Sequence, residues 1–203
     1  MAPSTASPLF TRNETAEISG VSVSAVNKAL EQRIAKPRRS RGRTLLGSDE
    51  AAALALISEI PVRLSVKLKR ELRNWIVHQS PQPTDELELS PALRVAMTDY
   101  AAQVAKRAAE YARLRDKYVE VDPRKLGGTP VIRGTRIPVR TLAQLVEGGE
   151  SREALREDYP HVPEEAYEVA VIWARGNPRR GRPTTPTPKR RSKPPRQRSA
   201  AAA

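Results

Sequence analysis

Residues Gly128 to Val139 read GTPVIRGTRIPV, the most specific run in the chain. Val131 and Ile132 lead up to Gly134-Thr135, a two-residue turn with Gly in the first central place, where a mirror-image turn demands positive φ. Ile137 and Val139 resume the strand, so the run predicts a tight β-hairpin. In that register Arg133 and Arg136 become cross-strand neighbours, and like charges placed opposite each other are mildly destabilising. Either the pair awaits an anionic partner or both guanidiniums splay into water.

Working outward toward the C-terminus, Leu142, Leu145 and Val146 mark a helix stopped by Gly148-Gly149. Ser151 caps a second, carrying Ala154 and Leu155 and ending at Tyr159-Pro160. Pro163 opens a third, in which Ala166, Val169, Ala170 and Trp173 share one face. Glu164 and Glu165 in its first turn are explained by the helix dipole. With these residues in view, the run from Val119 to Arg175, a hairpin followed by three short helices containing GGES and DYP, resembles the small domain-of-unknown-function family found in VapB-type antitoxins. The resemblance implies a hairpin plus a trihelical unit like a helix-turn-helix, and a PIN-type ribonuclease toxin as partner. The second helix of that unit offers Arg152, Glu153, Arg156, Glu157 and Asp158. Such a mixed face reads DNA poorly and points to packing or dimerisation.

At the other end, Thr11 with Glu14 three residues on fits a capping box, opening a short helix with Thr15, Ala16 and Ile18 inward. Ser19-Gly20-Val21 breaks it, and Ser22 caps a second helix predicted to run through Ile34, with Val26, Leu30 and Ile34 on one face. Small Ala16, then Gly20 in the turn, then apolar Val26 is the spacing of a helix-turn-helix: Ala allows a close crossing, Gly supplies the turn angle, and Val plugs the angle between the helices. The exposed face of the second helix is then Ser22, Ser24, Asn27, Lys28 and Glu31. Asn can bond adenine bidentately, Lys can reach guanine or phosphate, and the Ser hydroxyls at the helix N-terminus suit phosphate. An ordinary helical hairpin with a solvated face is the alternative.

The sequence that follows, KPRRSRGRTLL, places six basic residues and no acid between Arg33 and Arg43. Arg38, Arg39, Arg41 and Arg43 around Ser40 and Gly42 read as a basic two-stranded wing, whose phosphate contacts would add sequence-independent, salt-sensitive affinity. This layout resembles the MerR-like winged helix-turn-helix group.

Ser48-Asp49-Glu50 starts an Ala- and Leu-rich helix to about Ile60, its acids explained by the dipole. Val62, Leu64, Val66 and Leu68 alternate like a strand, then give way to helical spacing, so a short strand turning into a helix over residues 65–78 is expected. SPQPTDE reads as a loop. Leu87 and Leu89 could form a strand beside Val62 to Leu64. Ser90-Pro91 reads as a helix start, with an Ala-rich helix running to Tyr118. Its Leu93, Met97, Tyr100, Val104, Tyr111, Leu114 and Tyr118 keep heptad spacing except where Arg107 occupies one seam position, a stripe that either packs on the body or pairs across a two-fold axis in a homodimer.

From Arg175 to the end there are ten Lys or Arg and no acid, against a formal net charge of +13 for the whole chain of 203 residues. The body is nearly balanced and the tail is not, which points to nucleic acid or an acidic protein surface as partner. The tail is Pro-rich with almost no apolar residues and is expected to be disordered when free. Arg180-Gly181-Arg182-Pro183 resembles an AT-hook for the minor groove. Alternatively, Arg179, Arg180 or Arg182 enters the carboxylate-lined site of the ribonuclease that the family resemblance implies, or the tail only solubilises. There is no Cys, and the two His are far apart, which removes zinc fingers, thiol nucleophiles and disulfides. No cofactor, no metal site and no catalytic constellation is expected. No apolar run reaches membrane-span length, and a cytoplasmic location is expected.

The organisation expected is therefore a mainly α protein. It has a flexible N-terminus (1–9), a winged helix-turn-helix (10–60), a linking or dimerising region with a long helix (61–118), the hairpin and three-helix domain (119–175) and a disordered basic tail (176–203). The function expected is an antitoxin that represses its own operon on operator DNA and neutralises a PIN-type ribonuclease. A stand-alone DNA-binding regulator is the alternative.

Overall fold

The computed structural model describes residues 8–40, 42–79, 82 and 84–178. Strand β1 (Leu9–Phe10) leads into α1 (Arg12–Ser19) and α2 (Val23–Glu31), then β2 (Arg38–Ser40) and β3 (Arg43–Gly47). Helices α3 (Ser48–Glu59) and α4 (Val66–Gln79) follow, then β4 (Glu86–Ser90), β5 (Leu93–Ala96) and the long α5 (Asp99–Tyr118). Last come β6 (Val119–Glu120), β7 (Val131–Ile132), α6 (Val139–Glu147), α7 (Arg152–Asp158) and α8 (Glu164–Gly176). The described chain is mainly helical, with small antiparallel sheets of order β1-β3-β2, β4-β5 and β6-β7. No described helix is long and apolar enough to cross a membrane.

The first two helices form for the local reasons the residues supply. Thr11 caps α1 in a reciprocal capping box with Glu14, and Gly20 ends it at φ +71°, an angle that favours glycine. Ser22 caps α2 by accepting from Ala25 N at 3.1 Å. Ala16, Val26, Ala29, Ile34 and Leu46 then share one small core. Two boundaries differ from expectation. Helix α2 stops at Glu31 because Arg33 takes a positive φ of 54°. Order also begins before Thr11: Leu9 and Phe10 pair with Gly47 and Leu46 of β3, and Phe10 is fully buried.

The middle of the chain departs most from the expected pattern. No strand forms at Val62 to Leu64: Val62 is 54% exposed and α4 begins directly after Ser65. Leu87 and Leu89 do lie in a strand, but its partner is β5, with Leu87 opposite Val95 and Glu88 opposite Arg94. Ser90-Pro91 therefore turns a hairpin and starts no helix. Helix α5 begins at Asp99, capped by Thr98 through Ala101 N at 3.2 Å. Leu93 and Met97 fit a heptad but also alternate with Val95, and the hairpin wins because it folds all three onto α3 and α4 with Leu72, Trp75 and Ile76. Glu50, expected only to serve the dipole of α3, is buried against the buried Arg73 of α4, whose Nε lies 3.0 and 3.1 Å from its two oxygens.

The stripe on α5 is filled mostly within the chain. Val104, Ala108, Tyr111 and Tyr118 pack with Ala51 and Ala55 of α3, Phe10 and Ile18 from the N-terminus, and Ala166, Tyr167 and Val169 of α8. Most of the stripe is thus covered within the chain, while Tyr100 stays 38% exposed and Leu114 half-buried.

The 128–139 run is a hairpin with a different turn. Thr135 N donates to Ile132 O at 3.0 Å, so the central residues are Arg133 and Gly134, with Gly134 second at φ +78°. That is the place where a type II turn needs glycine. Val131 bridges Pro138 and pairs with Glu120 of β6, while Val139 begins α6 and does not extend the strand. The three helices after it follow the expected boundaries, with Gly148, Ser151 and Pro163 at the cap positions.

Candidate nucleic-acid interface

Helix α1 is held from behind and α2 is left open in front. Ser19 O accepts from Tyr100 Oη at 3.1 Å, and Arg107 donates to Ile18 O. Arg175 of α8 reaches Glu17 of α1 at 2.9 Å and Glu147 of α6 at 2.7 Å. Thr11 Oγ1 donates to Gly176 O at 3.1 Å. At the far end of α2, Arg70 of α4 donates through Nε to Gln32 O at 3.2 Å, satisfying a terminal carbonyl. Helix α2 buries Val26 and Ala29, and presents Ser22, Ser24 and Lys28 to solvent with Asn27 half-buried.

The wing is a strand pair, as expected. Arg38 lies opposite Leu45, Arg39 opposite Thr44 and Ser40 opposite Arg43, with Gly42 at φ +73° in the turn. Leu46 points into the core beneath it. Arg38, Arg39 and Arg43 are exposed. Arg41 lies outside the described residues.

Much of the positive charge away from this surface is paired. Among the described residues, Arg94, Arg113, Arg115, Arg124, Lys125, Arg152, Arg156 and Arg175 all face a carboxylate within 4 Å. None of Lys28, Arg38, Arg39 and Arg43 does so, and none of their guanidinium or ammonium groups has a hydrogen-bond partner among those residues. Unpaired cations on a short rigid ribbon next to an open helix can take phosphates without first breaking an ion pair.

The hairpin of the C-terminal domain has another use. Arg133 Nε donates to Lys117 O at 2.9 Å and Nη2 to Asp116 O at 2.9 Å, and its backbone N–H donates to Tyr118 O at 2.7 Å. It caps the last carbonyls of α5. Arg133 thus neither splays into water nor awaits an anion, whereas Arg136 is exposed. Thr135 Oγ1 donates to Ile132 O at 2.8 Å, closing the turn. Glu120 on β6 accepts from Lys125 Nζ at 3.0 Å, and that bond holds its carboxyl below the usual range. On α7, Arg152 pairs with Glu164 and Glu168 and lies 5.8 Å over the Tyr167 ring, so its charge is occupied as the mixed face implied.

Arg179, Arg180 and Arg182 lie outside the described residues. The chain leads to them from Asn177, whose Nδ2 donates to Trp173 O at 3.0 Å and to Glu14 Oε1 at 3.4 Å. The basic sequence thus departs from beside the start of α1. One residue there was missed from sequence: Arg12 Nη1 donates to Asn27 Oδ1 at 3.2 Å. A cation one place after a helix cap carries no periodic signal, so only the crossing of the two helices reveals the contact.

No solved structure matches this chain significantly. An uncharacterized protein of Sinorhizobium fredii, y4eO, is 35% identical over 150 residues, 74% of this chain and 53% of that protein. The chain thus spans about half the length of that relative. Residues 119–174, from β6 through the capped hairpin to the last turns of α8, match the family described as "Protein of unknown function (DUF433)", and the C-terminal half of this chain therefore carries a domain of that family.

Proposed function

We propose that the protein is the antitoxin of a type II toxin-antitoxin module. It binds operator DNA through a winged helix-turn-helix made of α1, α2 and the β2–β3 wing, represses its own operon, and neutralises a PIN-type ribonuclease through its C-terminal region. The observation that carries the DNA-binding part is the set of unpaired, exposed cations, Lys28, Arg38, Arg39 and Arg43, beside the open face of α2. Phosphates would take the wing arginines and the Ser22 and Ser24 hydroxyls, with Asn27 and Lys28 at base edges. The toxin partner rests on the resemblance of the C-terminal domain to domains of VapB-type antitoxins. Arginines of the basic tail, which leaves the body at Asn177, would form bidentate bonds to the carboxylates of the ribonuclease and displace its metal. A homodimer would suit an operator with two half-sites.

One observation favours the alternative of a stand-alone regulator. Helix α8 is packed onto α1, so the C-terminal domain also serves as a support for the reading head. Co-purification from cells of the full-length chain and of a form ending at Pro178 separates the two. The cut falls there because Gly176 and Asn177 belong to the contact with α1. A small, carboxylate-rich ribonuclease retained by the full chain and weakened or lost with the short form supports the antitoxin reading. DNA retained by both forms with no such partner makes the protein a plain regulator.

A further inference from the structure

The amide of Asn27 is held on one side. Arg12, the first residue of α1, donates to it across the helix pair at 3.2 Å. A guanidinium has donors only, so the atom it faces must be Oδ1, and the Nδ2 amino group is turned the other way. Asn27 sits between exposed Ser24 and Lys28 on the same face of α2. The groups nearest the Asn27 amide there are its own amino group, the remaining Arg12 N–H groups and the Lys28 ammonium, all donors, with the Ser24 hydroxyl and the exposed Glu31 carboxylate to either side.

We propose that Arg12 and Asn27 act as one unit that reads an acceptor-rich base edge in the major groove, guanine O6 and N7, with Arg12 as the residue that sets this preference. The proposal rests on the DNA-binding reading above. A free Asn presents an acceptor beside a donor and matches adenine, whose N6 donates and N7 accepts. Arg12 takes one of the two lone pairs of Oδ1 and sets a cation beside it, which disfavours the approach of the adenine N6 donor, whereas guanine offers acceptors to both the Asn27 amino group and the guanidinium. The arrangement therefore reverses the adenine preference that Asn27 alone would suggest.

Selection from a random duplex pool with the full-length chain, Arg12→Ala and Asn27→Ala, followed by titration of the enriched sites, tests this. Arg12 is exposed and lies outside every hydrophobic core, so its removal leaves the fold intact, which a thermal melt of each variant checks. The native chain should enrich a site with guanine at one position. Arg12→Ala should move that position to adenine and weaken binding to the guanine site by about tenfold, and Asn27→Ala should lose the preference there. If Arg12→Ala binds every site more weakly but keeps the guanine, Arg12 is only a phosphate contact and the inference falls while the DNA-binding reading stands. If the native chain enriches no sequence, the DNA-binding reading fails and takes this inference with it.

Discussion

Both carboxylate oxygens of Glu14 are engaged, and by distant parts of the chain. Oε2 accepts from Thr11 N at 2.8 Å, closing the capping box. Oε1 accepts from Tyr111 Oη of α5 at 2.9 Å and, at 3.4 Å, from Arg115 Nη1 and from Asn177 Nδ2 beyond α8. Glu14 is only 3% exposed, so each donor matters. Tyr111→Phe should lower stability by about 1–3 kcal/mol in urea denaturation, because a buried carboxylate loses a donor. Burial first, and the Glu14 carboxylate second, push the Tyr111 phenol well above its ordinary value. A raised folded-state value makes this stabilisation complete below the ordinary phenol value of about 10 and diminishing as pH rises past it. Helix content followed by circular dichroism should therefore fall on alkaline titration with a flatter profile in Tyr111→Phe than in the native chain. Gly176 meets the same residue from the other side: a Cβ there would collide with Glu14 Cγ and stand 3.0 Å from its Cα. Gly176→Ala should cost about 1–3 kcal/mol, read as a lower Tm, because the obstacle includes backbone. The capping half of Glu14 is written in Thr11 and Glu14 themselves. Its other half depends on residues 97 to 163 positions away, which no local pattern connects.

Helices α1 and α2 and the β2–β3 wing follow from near neighbours: a capping box, a glycine turn, a serine cap, and an alternation that turns Leu46 inward and the arginines outward. Reversing charge at Arg38, Arg39 and Arg43 should abolish retention on DNA, while changing stability by no more than about 0.5 kcal/mol, since all three are exposed and unpaired. Changing them to Ala should reduce the log–log salt dependence of binding by about 0.9 for each phosphate that is no longer neutralised. Unchanged retention after charge reversal would remove the wing from the interface. The Glu50–Arg73 pair behaves differently because it joins α3 to α4 in a dry place. Glu50→Ala should cost about 3–5 kcal/mol by stranding a buried guanidinium, whereas the double change to Met and Leu should be close to neutral. Urea denaturation of the four forms measures both. The β4–β5 hairpin was illegible because Leu93 and Met97 satisfy two periods at once. What decides is the apolar surface of α3 and α4 waiting beneath them.

The largest core draws Phe10 and Ile18 from the N-terminus, Ala51 and Ala55 from α3, the inner face of α5, and Leu155, Ala166 and Tyr167 from the C-terminal domain. Segments that read as a DNA-binding head, a linker and a separate family domain thus all contribute to this common core, beside the smaller cores of the head and of the β4–β5 hairpin. Calorimetry should give a single unfolding transition for the intact protein, and residues 119–178 produced alone should lack native helix content, since α8 would expose the surface that α1 and α5 cover. Two resolved transitions would mean that the interior divides. The arrangement also ties any partner bound near α8 to α1, through Arg175 between Glu17 and Glu147 and through Thr11 on Gly176.

The residues in order were enough for the caps of α1, α2, α7 and α8, the glycine-dependent turn at Gly20, the existence of the 128–139 hairpin, the wing strands with Arg38, Arg39 and Arg43 exposed, and the family character of residues 119–174. Each is set by interactions within a few positions, where backbone angles and hydrogen-bond donors leave little choice. Only the folded chain decided that the α5 stripe faces inward, that Arg133 caps α5, that Glu50 and Glu14 are buried hubs, and that Arg12 holds Asn27. Those outcomes depend on which apolar faces and unsatisfied polar groups meet across long sequence separations. That meeting is settled by burial of the whole molecule rather than by local propensity.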